Sequence, residues 1–130
     1  MTFDKNHRLD LCKAASHLKD ISSHLKEVFK VTKDQRYLRA ELMIEELGEV
    51  VMAMHELDEV ELLDGLADLL YVTAGTATQL DVPLDAAFWE VHRSNMTKHK
   101  AAASHQGDKG KGADYSPPDI SGLLKDWFGY

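Results

Sequence analysis

The sequence has a single cysteine, Cys12, in 130 residues, so no disulfide can form within the chain. Prolines stand only at 83, 117 and 118, which leaves the first 82 residues free of that helix breaker. No apolar run reaches the ~18 residues that would suggest a membrane span. The opening "MTFDKNHRLD" lacks the apolar stretch of a secretory signal, so the cytoplasm is the expected compartment. Positive charge is scarce: 15 Lys and Arg stand against 22 Asp and Glu, a net charge of -7. That balance argues against a binder of nucleic-acid backbones, which would be basic. It leaves room for a nucleotide held through cations, because metal ions bridge acid to phosphate. Strand-like alternation, a Walker pattern, a hydrolase elbow and a His-Glu-x-x-His zinc motif are all absent.

What is present is an ordinary soluble composition, 44% hydrophobic and 28% charged, in a length that suits one domain. Apolar residues recur at helical spacing in four stretches. The first runs from about Arg8 to Phe29 and the second, N-capped by Asp34, to about Leu57. The third covers roughly Val60 to Gln79. Its apolar residues occupy more than one face, so it is expected to be the most buried. The fourth starts near Pro83 and continues to about His99. Short loops between such helices predict an all-α antiparallel four-helix bundle over residues 1–100. Residues 101–130 read as a polar, glycine-containing loop and a short amphipathic terminal helix, part of the same domain. That helix is expected to pack on the bundle or on a partner subunit.

Two segments interrupt this apolar pattern with acid: "EELGE", Glu45 to Glu49, and "DGLAD", Asp64 to Asp68. On a helix Glu45, Glu46 and Glu49 share one side, and Asp64 and Asp68 lie one turn apart. If the two helices run antiparallel, the clusters face each other. An acidic helix face is ordinarily just solvated. Three features favour a site instead. Like charges four residues apart destabilise a helix by ~0.2–0.5 kcal/mol. Asp68 sits in the most apolar helix, where an unpaired carboxylate is costly. Gly48 and Gly65 weaken their helices by about 1 kcal/mol each relative to Ala, which suggests close approach of a helix or ligand. Hard divalent cations, Mg²⁺ or Mn²⁺, suit such a set of oxygen donors.

With these residues in view, the chain resembles the all-α nucleoside triphosphate pyrophosphohydrolases, the MazG and phosphoribosyl-ATP pyrophosphohydrolase-like superfamily. Glu45, Glu46 and Glu49 match its Glu-Glu-x-x-Glu motif. Asp68 matches the Asp of its Glu-x-x-Asp motif, whereas Gly65 stands where that motif has Glu. "DGLADLLYVTAGTA", "EVHRSNMTK" and "KGKGADYSPPD" look closest to the compact branch common in phages. The similarity covers roughly Arg36 to Asp119, and the first helix contributes little to it.

The resemblance implies Mg²⁺-dependent cleavage between the α and β phosphates of a nucleoside triphosphate, giving monophosphate and pyrophosphate. Glu45, Glu46, Glu49 and Asp68 would hold the ions, Asp64 would supply the missing carboxylate, and Glu46 would activate water. Asn95 and Lys98, one turn apart near the end of the fourth helix, would reach base or sugar and phosphate. A solvated helix end is the competing reading. Lys109 and Lys111 could fold over the triphosphate, with Tyr115 anchoring their loop; a plain linker stands beside that reading. Arg39 reads as an exposed surface residue. The substrate would be dGTP or another deoxynucleotide, in a host cytoplasm if the source is viral. Relatives that take dUTP or phosphoribosyl-ATP keep those activities open, as does a non-catalytic oligomerisation module. The family forms dimers and pairs of dimers, so a homo-oligomer is expected.

Overall fold

The computed structural model describes residues 8–98 and 112–130. Among them are five helices and no strand, as expected of a helical bundle: α1 (Arg8–Thr32), α2 (Gln35–Glu56), α3 (Glu59–Leu80), α4 (Leu84–Asn95) and α5 (Ile120–Phe128). No described helix is long and apolar enough to cross a membrane. The chain divides into two compact units, Met1–Thr76 and Ala77–Tyr130.

In the first unit α1 and α2 pack against each other as an antiparallel pair. The turn between them is tight. Lys33 takes the left-handed conformation at φ 56°, and Asp34 caps α2 by accepting from the Arg36 amide at 2.9 Å. The Arg36 guanidinium also binds the Asp34 carboxylate, which holds Asp34 below the usual carboxylate range. At the other end of α2, Leu57 is left-handed at φ 57°, and its amide and that of Asp58 return to the carbonyls of the last turn. Asp58 then accepts from the Glu61 amide at 3.1 Å and opens α3. A two-residue reversal therefore sets α3 antiparallel to α2.

Small residues bring these helices together. Ala15, Val50 and Ala53 form the buried apolar centre of this unit. A Cβ added at Gly65 would lie 3.0 Å from Val50 Cγ2 and 3.6 Å from the Val50 backbone, so α3 crosses α2 closely there and a side chain would require Val50 to give way. Gly48 faces α1: a Cβ added there would lie 3.6 Å from Leu18 Cβ, an ordinary contact. Arg39, expected at the surface, is half-buried instead. It donates to Thr76 Oγ1 at 3.1 Å and to the Val72 carbonyl at 3.2 Å, lying over Gly75. Its length lets it satisfy helix polar groups that a shorter side chain would not reach.

α3 is not the most buried helix. Val60, Leu63, Leu70 and Tyr71 are exposed, Leu63 by 71% and Tyr71 by 81%. They recur at helical spacing along α3. Apolar residues on two faces of a helix bury both only if something covers each.

In the second unit Asp81 is left-handed at φ 54°, and Pro83 stands at the N-cap position of α4 without a side-chain capping bond. α4 ends at Asn95 rather than near His99. The last turn closes through the Thr97 hydroxyl, which donates to the Ser94 carbonyl. The terminal helix packs within this unit. Asp119 caps α5 by accepting from the Gly122 amide at 2.9 Å, and its own amide donates to Glu90 of α4 at 3.0 Å. Arg93 pairs with Glu90 and donates to Ser116 Oγ and the Pro117 carbonyl at 3.1 Å each. Trp127 Nε1 donates to the Asp81 carbonyl at 3.0 Å.

Candidate functional site

The antiparallel reversal at Leu57 and Asp58 brings the two acidic segments level. Glu46 and Glu49 on α2 and Asp68 on α3 each offer a carboxylate oxygen, and the three atoms lie within 4.8 Å of one another. Glu46 is half-buried, and its Oε2 is buried with no hydrogen-bond partner. Burial, followed by the nearby charges of Glu49 and Asp68, pushes the Glu46 carboxyl up to about 7. Three carboxylates this close, one with an orphaned buried oxygen, are poorly satisfied by the protein alone.

Glu45 and Asp64 stand outside that set. Asp64 is exposed, one turn before Asp68. Glu45 points toward α1 and hydrogen-bonds Glu41, which raises its carboxyl above the ordinary value, with burial adding to the effect. Glu41 is only 3% exposed and accepts from Ser22 Oγ at 3.1 Å, with Lys26 Nζ at 3.9 Å. Between α1 and α2 lies a cavity of about 360 Å³ whose wall includes Lys19, Ser23, Lys26, Glu45 and Glu49. Glu49 thus belongs both to the carboxylate cluster and to the cavity.

Sequence reasoning did not single out Glu41, Ser22 or the two lysines. Their signal was the i, i+3, i+4, i+7 spacing of Lys19, Ser22, Ser23 and Lys26, a polar stripe where α1 meets α2.

The remaining candidates belong to the second unit. Asn95 is exposed at the last position of α4. Lys98 is not on that helix but in the turn after it, where its amide donates to the Asn95 carbonyl at 3.1 Å. Tyr115 is half-buried, and its amide donates to the Gly112 carbonyl at 3.2 Å. Lys109 and Lys111 lie outside the described residues.

Fold and site together define an all-α protein with a carboxylate cluster carried by a helical hairpin. The family model described as phosphoribosyl-ATP pyrophosphohydrolase matches residues 13–95, and the chain belongs to that family. The match includes most of α1, so the similarity begins earlier than Arg36. No curated protein and no solved structure matches the chain. Membership supports nucleotide pyrophosphohydrolase activity in general, acting on a small nucleotide, in a family that is typically metal-dependent.

Proposed function

We propose that the chain is a divalent-metal-dependent nucleoside triphosphate diphosphatase that cleaves between the α and β phosphates. The observation that carries this reading is the convergence of Glu46, Glu49 and Asp68 within 4.8 Å across two helices. The residues suit a hard cation: all three donors are carboxylate oxygens, and the unpartnered Glu46 Oε2 lacks what a cation would give it. When bound there, Mg²⁺ or Mn²⁺ would neutralise phosphate charge and make a bound water more acidic.

The chain's own residues do the rest. Glu46 is our choice for accepting the proton of the attacking water, because it is the half-buried member of the three. Glu49 and Asp68 fix the geometry of the charged end of the substrate. Asp64, exposed one turn from Asp68, remains a candidate for a second, outer oxygen donor. Asn95, Lys98 and Tyr115, with Lys109 and Lys111, remain candidates for substrate contacts. The substrate we favour is a deoxynucleoside triphosphate, dGTP among them, acting on a precursor pool such as a phage would reshape. The exposed apolar side of α3, with Val60, Leu63, Leu70 and Tyr71, supports a homo-oligomer.

The test is a panel of ribo- and deoxynucleoside triphosphates, with phosphoribosyl-ATP, in Mg²⁺ and in Mn²⁺. Monophosphate and pyrophosphate should appear in equal amounts, and Glu46→Gln should abolish them. Turnover that survives Glu46→Gln, or orthophosphate as the product, would count against this mechanism. One observation favours a second reading. Gly65 replaces the second-motif Glu where α3 packs closely on Val50, which suits a bundle retained for assembly rather than catalysis. Absence of turnover for every nucleotide would select it.

A further inference from the structure

One side of the α1–α2 interface carries a polar stripe beside its apolar contacts. Lys19, Ser22, Ser23 and Lys26 face Glu45, Gly48, Glu49 and Met52, and both sets follow the spacing of a packing stripe. Giving up apolar contact along two turns of each helix adds nothing to stability. Ser22 is taken by Glu41, and Lys26 lies near the same carboxylate. Among the described residues, the side chains of Lys19 and Ser23 make no hydrogen bond or ion pair, although both line the cavity. Its volume, about 360 Å³, falls within the range of roughly 300–1,000 Å³ seen for small-molecule pockets.

We propose that this cavity receives the nucleoside of the substrate, with Lys19, Ser23 and Lys26 of α1 and Glu45 of α2 reading its base and sugar while the phosphates lie at Glu49. The inference rests on the diphosphatase reading and adds the helix that sets specificity. Two features suit a nucleoside. Ile44, Met52 and Ala15 supply apolar surface for a ring. Ammonium and hydroxyl donors opposite a carboxyl acceptor match base edges that carry both kinds of group. The reach also agrees. Lys19 and Lys26 are seven residues apart, about 10 Å along a helix, and Glu49 ties one end of that span to the carboxylate cluster.

The experiment uses the whole chain in EDTA, with dAMP, dCMP, dGMP and dTMP in turn and pyrophosphate as the contrasting probe. Backbone amide resonances are followed by NMR. At least one nucleoside monophosphate should move the resonances of residues 19–26 and 44–49, and pyrophosphate should leave residues 19–26 unmoved. Kinetics of Lys19→Ala and Ser23→Trp provide the second readout. Each should lower kcat/KM about tenfold or more, mainly through KM, and Lys19→Ala should change the ranking of bases. Pyrophosphate shifting residues 19–26 while the monophosphates do not would overturn the proposal. So would silence from all the probes together with unchanged KM in both variants. Failure of the diphosphatase reading looks different: no triphosphate is turned over, yet the monophosphates still move α1.

Discussion

Replacing Glu46 by Gln should make the metal-free protein more stable while removing its activity. The perturbation deletes one of three charges that meet within 4.8 Å. In the folded chain the Glu46 carboxyl is raised from 4.5 to about 7. A shift of that size corresponds to ~3 kcal/mol against the ionised form, reduced to about 1–3 kcal/mol by solvent screening at a half-buried site. The sign follows from the direction of the shift. The folded state binds the proton more tightly than the unfolded chain, so no penalty exists below about pH 4.5. The penalty grows as the pH rises toward 7 and is complete above it. Gln carries no charge, and its amide can donate to Glu49 or Asp68. Urea denaturation in EDTA at pH 8 should therefore show Glu46→Gln more stable by about 1–3 kcal/mol, with the gap shrinking toward pH 5. Adding Mg²⁺ should stabilise the wild type more than the variant, closing or reversing the gap. Equal or lower stability of Glu46→Gln at pH 8, or a gap independent of pH, would refute the account of mutual repulsion.

Other substitutions test the packing that holds the cluster. Gly65→Ala should lower stability by about 1–3 kcal/mol from overpacking, despite a gain of about 1 kcal/mol in helix propensity, and Val50→Ala should relieve the clash in a double-mutant cycle. Arg39→Ala should cost about 1–3 kcal/mol by urea denaturation, because the Thr76 hydroxyl and Val72 carbonyl lose a charged donor. Leu63→Glu or Leu70→Glu should yield a smaller species by light scattering with helicity unchanged, if these exposed residues of α3 meet another subunit.

The helices were legible because period-3.6 patterning and local punctuation agreed. Asp34 was readable as a cap because its side chain acts on the next few residues. The carboxylates were legible for the same reason: i,i+3 and i,i+4 spacing fixes a side of a helix before any tertiary contact forms. What escaped depended on distance across helices. Arg39 is surface-like by composition and becomes half-buried only because Thr76 and Val72 arrive opposite it. Glu41 lies one turn before "EELGE" and looks solvated in sequence, yet Ser22 of α1 covers it. Glu45 shares the motif of Glu46 but turns toward α1, and spacing does not distinguish the two. α3 appeared central because its apolar residues occupy two faces; among the described residues, Val60, Leu63, Leu70 and Tyr71 stay exposed. The end of α4 was misplaced because "SNMTK" contains no glycine or proline to mark a stop.

The contact between Gly65 and Val50 governs more than packing. Val50 follows Glu49 directly, and Gly65 lies one turn before Asp68, so the tightest crossing of α2 and α3 sits beside the carboxylates. Their separation is set by a backbone that cannot come closer and by a buried valine that resists parting. Repulsion among the acids cannot be relieved by letting the hairpin spread. If a cation binds there, its donors are already close together, and little reorganisation is left for the moment of binding. A variant that loosened this crossing would keep every acidic residue and still lose the spacing that makes them a site.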